Sequence, residues 1–110
     1  MIKMQIKMDE MKIKREERYS LAKINGTLDD YFIDRLHFSK GNNGFYLGNG
    51  SPDDFANFGV AMVTFGKKSW FMDNVDTWLY FNSEDSNNPE DYIAEDFKEF
   101  CQQRYQMNAV

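Results

Sequence analysis

The chain has few of the residues that small secreted proteins and metalloproteins depend on. Its 110 residues include one cysteine, Cys101, one histidine, His37, and two prolines. A single cysteine excludes an intrachain disulfide framework and is typical of a reducing compartment. One histidine with one cysteine also argues against a zinc site. We therefore predict no disulfide, no bound metal and no cofactor.

Long hydrophobic runs are also missing. No stretch approaches the roughly 20 apolar residues that span a bilayer. Residues 1–8 alternate apolar and polar side chains and do not form the apolar run of a signal peptide. Hydrophobic residues still make up 42% of the chain and aromatic residues 16%, which is enough for a real core. We expect one domain over residues 1–110, located in the cytoplasm and not associated with a membrane.

The motifs of common enzymes are absent from the sequence. It contains no Gly-x-Ser-x-Gly elbow, no phosphate-binding P-loop and no calcium-binding loop register. Gly48-Asn49-Gly50 lacks the rest of a dinucleotide-binding fingerprint. Cys101 lies on the apolar stripe of a predicted helix, which indicates a buried and inert thiol. We therefore predict that the protein is not an enzyme.

Hydrophobic periodicity indicates several strands. Alternation over residues 2–8 predicts a strand, and a short strand is expected at 45–47. The apolar segments 60–65, 70–72 and 75–81 are separated by short turns, which predicts an antiparallel meander. The phase of the alternation changes after Met8, and residues 9–26 fit either a strand or a helix.

Three helical segments are predicted from capping and spacing. Leu28, Phe32 and Leu36 recur at helical spacing and predict a helix over residues 28–37, although the preceding Asn25-Gly26 also fits a hairpin turn. A helical turn is expected after Pro52, and a long amphipathic helix from Pro89 to Tyr105. The expected fold is α+β: an antiparallel sheet of about four to five strands with a C-terminal amphipathic helix and one or two shorter helices.

Negative charge is concentrated in one segment. Residues 73–99 contain nine carboxylates and one lysine, a net charge of −8, whereas the whole chain carries −5. On the predicted C-terminal helix Asp91, Glu95 and Glu99 stack at intervals of four, with Tyr92 beside them. Such like-charge pairs destabilise an isolated helix by roughly 0.2–0.5 kcal/mol each. This indicates either a surface for a positively charged partner or an ordinary solvated face.

The predicted strand 75–81 adds aromatic residues to this surface. Asp76, Trp78 and Tyr80 share one face of that strand. A mixture of an acid with amphipathic aromatics is typical of interface centres, but the two aromatic residues also fit the core. Nucleic acid is disfavoured as a partner because the basic residues of the first half are interleaved with acids.

The last forty residues resemble bacterial immunity proteins, which are paired with secreted toxins. The resemblance lies in Asp73-Asn74-Val75-Asp76-Thr77-Trp78, the run Asn82-Ser83-Glu84-Asp85 and the acidic segment from Pro89. It implies a protein partner with a basic surface, often a nuclease, whose active site or substrate path is blocked. The implied partner-binding residues are Asp76, Trp78, Glu84, Asp85, Asp91, Tyr92, Glu95 and Glu99.

Two other functions remain possible interpretations of the sequence. A phage or plasmid inhibitor that mimics the charge of nucleic acid against a host defence protein would present the same acids. A small ligand-binding domain would instead need a pocket, for which His37 and Tyr46 are candidates. The sequence leaves the oligomeric state and the identity of the partner open.

Overall fold

A computed structural model describes residues 2–82 and 93–106. The chain begins with strand β1 (Ile2–Met8), helices α1 (Glu10–Glu16) and α2 (Leu21–Asp29), and a π-helical continuation (Asp30–Arg35). Short strands β2 (Ser39–Lys40) and β3 (Phe45–Leu47) follow, then helices α3 (Asp54–Gly66) and α4 (Ser69–Met72). Strands β4 (Val75–Asn82) and β5 (Ile93–Asp96) precede helix α5 (Phe97–Cys101), which continues as π-helix over Gln102–Gln106.

The five strands form one sheet in the order β2-β3-β1-β4-β5, and all described pairings are antiparallel. The α+β class and the five-stranded sheet therefore agree with the sequence-based expectation. Side chains at the even positions of β1 are buried, and so are Trp78, Tyr80 and Asn82 of β4, as the two-residue period of a strand requires. At the start of β4 the register shifts, so that Val75 is buried and Asp76 is exposed. This face and the buried side chains of the helices form a single hydrophobic cluster.

Aromatic rings fill much of that cluster. Phe32 stacks on Tyr46 with ring centroids 4.5 Å apart, and Phe38 stacks on Phe58 at 4.4 Å. Trp78 is completely buried and meets Phe71 edge to face at 4.8 Å. Such offset and edge-to-face pairs add stability beyond the apolar area that they bury.

Residues 9–26, for which the sequence left strand and helix open, form two helices. The carboxylate of Asp9 accepts a hydrogen bond from the Lys12 amide and caps α1, and Glu17 ends α1 in the left-handed conformation (φ 54°). The hydroxyl of Ser20 caps α2. Because α2 begins at Leu21, Asn25-Gly26 lies inside the helix and the hairpin alternative is wrong.

The predicted meander is wrong in two of its three strands. Residues 60–65 belong to α3 and residues 70–72 to α4, whereas β4 lies where the third strand was predicted. In α3 the buried residues Phe58, Ala61 and Phe65 follow the helical spacing i, i+3 and i+7. The segment 60–65 was too short and too apolar for this period to be read from it alone.

The predicted helix from Pro89 to Tyr105 is also wrong at residues 93–96, and its first residues, 89–92, lie outside the described ranges. Residues 93–96 pair with β4 as strand β5, with Asp96 opposite Leu79 and Ala94 opposite Phe81. Asp96 then accepts a hydrogen bond from the Glu99 amide at 3.0 Å, and α5 begins at Phe97. The hydrogen bonds to β4 are gained only in the folded chain, and they outweigh the local helical pattern.

Within the described ranges, no helix has the length and apolar character needed to cross a membrane.

Candidate functional site

Four of the six large exposed hydrophobic residues in the described part of the chain lie on two helices. The exposed fractions are 64% for Phe55, 57% for Val60 and 39% for Val63 on α3, and 43% for Phe100 on α5. The other large exposed hydrophobic residues are Met11 and Tyr19. Single exposed apolar residues are ordinary, but a contiguous group typically marks an interaction site.

A groove of about 580 Å³ runs between α3 and α5. We call it the α3–α5 groove. Phe55, Gly59 and Met62 line it from α3, and Phe97, Phe100 and further residues line it from the other side. The complete lining is Phe55, Gly59, Met62, Tyr80, Glu95, Asp96, Phe97, Glu99, Phe100 and Gln103.

The two helices also contact each other directly beside the groove. The Cys101 thiol is 4.0 Å from the Met62 carbonyl, and a side chain at Gly66 would meet the Cys101 sulfur at 2.6 Å. Burial raises the pKa of the Cys101 thiol to about 11, so this group stays neutral at physiological pH. The predicted buried thiol is confirmed, and α5 approaches α3 closely where Cys101 meets Gly66.

Three carboxylates, from Glu95, Asp96 and Glu99, line the α5 side of this groove. Among the described residues, no lysine or arginine nitrogen lies within 4.0 Å of any of them. The nearby Lys98 instead directs its ammonium group toward the Asp76 carbonyl, at 3.5 Å. The groove therefore combines an apolar floor with three carboxylates along one side, none of which pairs with a lysine or arginine in the described ranges.

The structure separates the sequence-predicted site residues. Glu95 and Glu99 both line the α3–α5 groove, but Glu95 lies on β5, so the predicted stacking of these residues along one helix is wrong. Asp76 is exposed at an irregularity of the β1–β4 ladder and lines a different groove. The predictions for Glu84, Asp85, Asp91 and Tyr92 lie outside the described residues.

Trp78 cannot act as a surface anchor in this fold. Its exposed fraction is 0%, and its indole nitrogen lies 3.2 Å from the Met4 sulfur inside the core. Tyr80 is also buried, although it borders the floor of the α3–α5 groove. Of the two interpretations open from the sequence, the core assignment is correct for Trp78.

Sequence reasoning missed the apolar part of the groove. No sequence motif points to Phe55, and the strand predicted over residues 60–65 does not correspond to the outer face of α3. The helical spacing of Phe97, Phe100 and Cys101 predicts one apolar stripe, but Phe100 is exposed in the structure. A helical projection of residues 54–66 would have placed Phe55, Gly59 and Met62 on one side.

A second groove, of about 630 Å³, lies beside α1 and α2 and is more polar. Within it the Tyr46 hydroxyl donates to Asp29 at 2.6 Å, and Lys40 makes a 2.9 Å ion pair with the same carboxylate. Burial and the neighbouring carboxylate raise the pKa of Tyr46. Burial alone would raise the pKa of Asp29, but the hydrogen bonds from Tyr46 and Lys40 outweigh it and lower the pKa.

These three side chains satisfy one another, and they join α2 to β2 and β3. The Tyr46 hydroxyl is therefore already engaged within the protein, and His37, the other residue considered for a ligand pocket, does not line this groove. No group of three or more potential metal ligands occurs in the described ranges. We take the α3–α5 groove as the candidate functional site.

Comparisons of the chain with protein-family models, with curated proteins and with solved structures find no match.

Proposed function

We propose that this chain is a protein-binding inhibitor that meets a basic partner through the α3–α5 groove. The observation that carries the proposal is the combination of Phe55 and Phe100, both exposed, with three carboxylates that no described cation neutralises. Exposed aromatic residues provide binding energy when they are buried, and charges around them steer the encounter.

Negative charge is not confined to the groove. The net charge of −8 over residues 73–99 would attract a basic protein from a distance and accelerate association at low salt. An immunity protein for a secreted toxin fits these properties best, because a nuclease toxin presents a basic surface meant for phosphates. Blocking that surface requires no catalytic residue in the inhibitor.

The test uses charge reversal in the groove. We expect Glu95→Lys combined with Glu99→Lys to preserve the fold, because both residues are exposed, and to slow association with the partner about tenfold at low salt. The partner is captured from the native host with the wild-type protein, identified and purified, and its on-rates are measured by surface plasmon resonance. At 0.5 M salt the difference should shrink, since the Debye length is then only about 4–5 Å.

The matched control reverses two exposed acids outside the groove. Glu16→Lys combined with Asp34→Lys changes the net charge by the same amount on α1 and on the π-helical segment. Equal on-rates for the groove variant and the control at low salt would refute the role of the groove. A captured partner whose activity is unchanged in the complex would refute inhibition, and capture of a nucleic-acid-binding defence protein would favour the charge-mimic alternative.

A further inference from the structure

Two glycines of α3 have opposite surroundings. A β-carbon at Gly66 would lie 2.6 Å from the Cys101 sulfur, so the approach of α5 requires a glycine there. A β-carbon at Gly59 would meet no heavy atom within 4 Å, although Gly59 borders the α3–α5 groove. Glycine inside a helix costs about 0.5–1 kcal/mol relative to alanine. No close neighbour requires a glycine at position 59, so packing does not explain this cost. The missing side chain leaves open space in the groove.

Apolar side chains border that open space. Phe55 lies one turn before Gly59 on the same side of α3, and Phe100 faces the groove from α5. Met62 and Phe97 contribute further apolar lining. A bulky apolar side chain placed over Gly59 would therefore leave water and contact both exposed rings, as an anchor residue at the centre of an interface does.

The charge around the groove is asymmetric. All three carboxylates come from β5 and α5, whereas α3 lines the opposite side with Phe55, Gly59 and Met62. Val60 and Val63, also on α3, are exposed. A ligand that matches this pattern is apolar toward the groove and toward α3, and positively charged only along the flank that faces α5. A second copy of this chain that docked with its own groove would instead bring acids against acids.

We propose, building on the proposed function, that the partner enters the groove with a short amphipathic helix. One bulky aliphatic or aromatic side chain of that helix sits over Gly59, and lysines or arginines along one flank face Glu95, Asp96 and Glu99. The groove follows α3 from Phe55 to Met62, a rise of about 10 Å. This length accepts about two turns of a docked helix, and an amphipathic helix in a groove is a common mode of peptide recognition.

The test does not require the natural partner. A random peptide library is selected on the wild-type protein and then rescreened on Gly59→Leu, in which the new side chain fills the open space. We expect the selected peptides to share one bulky apolar residue with lysines or arginines on one flank, and to become helical when bound. Their affinity for Gly59→Leu should fall at least about 30-fold, the equivalent of about 2 kcal/mol at 1.4 kcal/mol per tenfold change.

Gly26→Leu is the control, because Gly26 is also a helical glycine whose added β-carbon would meet no heavy atom within 4 Å. Gly26 lies on α2, outside the groove. Gly59→Ala, a smaller change that favours the helix, should weaken the same peptides to an intermediate extent and covers the case in which Gly59→Leu fails to fold. Thermal melting of each variant establishes that the fold is intact.

Several outcomes would overturn the inference. These are the absence of any selected peptide, peptides without a basic flank, peptides that bind as extended strands, or equal binding to wild type and Gly59→Leu. A wild-type dimer that Gly59→Leu dissociates, seen by sedimentation, would assign the groove to a second copy. If any of these occurs while reversal of Glu95 and Glu99 still slows the natural partner, helix docking fails and the proposed function stands.

Discussion

The same substitution at the two glycines of α3 should change stability in opposite directions. At Gly66 the new methyl group of alanine would lie 2.6 Å from the Cys101 sulfur and 3.2 Å from a ring carbon of Tyr105. Overpacking of this kind costs about 1–3 kcal/mol, and the gain in helix propensity offsets only part of it. We expect Gly66→Ala to lower the free energy of unfolding by about 1–2 kcal/mol.

Gly59→Ala provides the matched comparison. Its methyl group meets no heavy atom within 4 Å, so only the helix propensity changes and stability should rise by about 0.5–1 kcal/mol. The measurement is urea unfolding followed by circular dichroism, with the slope of the transition checked for constancy. In thermal melts each kcal/mol corresponds to a shift of roughly 4 °C for a domain of this size.

A double-mutant cycle tests the cause of the loss at Gly66. Cys101→Ala removes the sulfur, the nearest atom, and leaves contacts at 3.2–3.3 Å that small shifts can relieve. The cost of Gly66→Ala should therefore nearly vanish in the Cys101→Ala background, with a coupling energy of about 1–2 kcal/mol. Stabilisation by Gly66→Ala, or additive effects of the two substitutions, would refute the close packing of α3 against α5 at this point.

Two further predictions concern the core and the polar network. Trp78→Ala should lower the free energy of unfolding by about 3–5 kcal/mol, measured by urea unfolding. In a Trp70→Phe variant the remaining Trp78 should fluoresce at the short wavelengths of a buried indole, and red-shifted emission would contradict its burial. Tyr46→Phe should cost about 1–2 kcal/mol at pH 7. Folding lowers the pKa of Asp29, so the hydrogen bonds to its carboxylate stabilise the protein fully at pH values above the unfolded pKa of about 3.9. This stabilisation is lost as the pH falls through the lower pKa that Asp29 has in the folded protein. The stability difference between wild type and Tyr46→Phe should therefore narrow in acid unfolding curves, and a constant difference would contradict the network.

Local patterns were sufficient where one period was clear. The alternation over residues 2–8 predicted β1, because each even residue is apolar and each odd one polar, and the strand is central in the sheet. The helical spacing of Leu28, Phe32 and Leu36 predicted a helix that the structure contains, with Leu28 and Phe32 buried. Its true start at Leu21 depends on the Ser20 cap, which was not recognised.

Local patterns failed where short apolar segments fit two structures. Residues 60–65 are apolar at nearly every position, so they carry neither a two-residue nor a 3.6-residue period, and only packing of α3 on the core decides for a helix. The spacing of apolar residues around 93–96 favours a helix. In the folded chain, however, these residues pair with the edge of β4 that β1 does not cover, and this pairing satisfies backbone groups in both segments. Glu95 consequently lies on a strand and Glu99 on a helix.

The α+β class, the buried Cys101 and the concentration of acids over residues 73–99 follow from the sequence alone, since they depend on residue type, short-range spacing and charge. Only the tertiary structure decided that Trp78 lies in the core and that Phe55, Gly59 and Phe100 meet Glu95 and Glu99 in one groove. These residues are up to 45 positions apart in the chain. The packing of α3 against α5 through Gly66 and Cys101, which no local pattern encodes, brings them together.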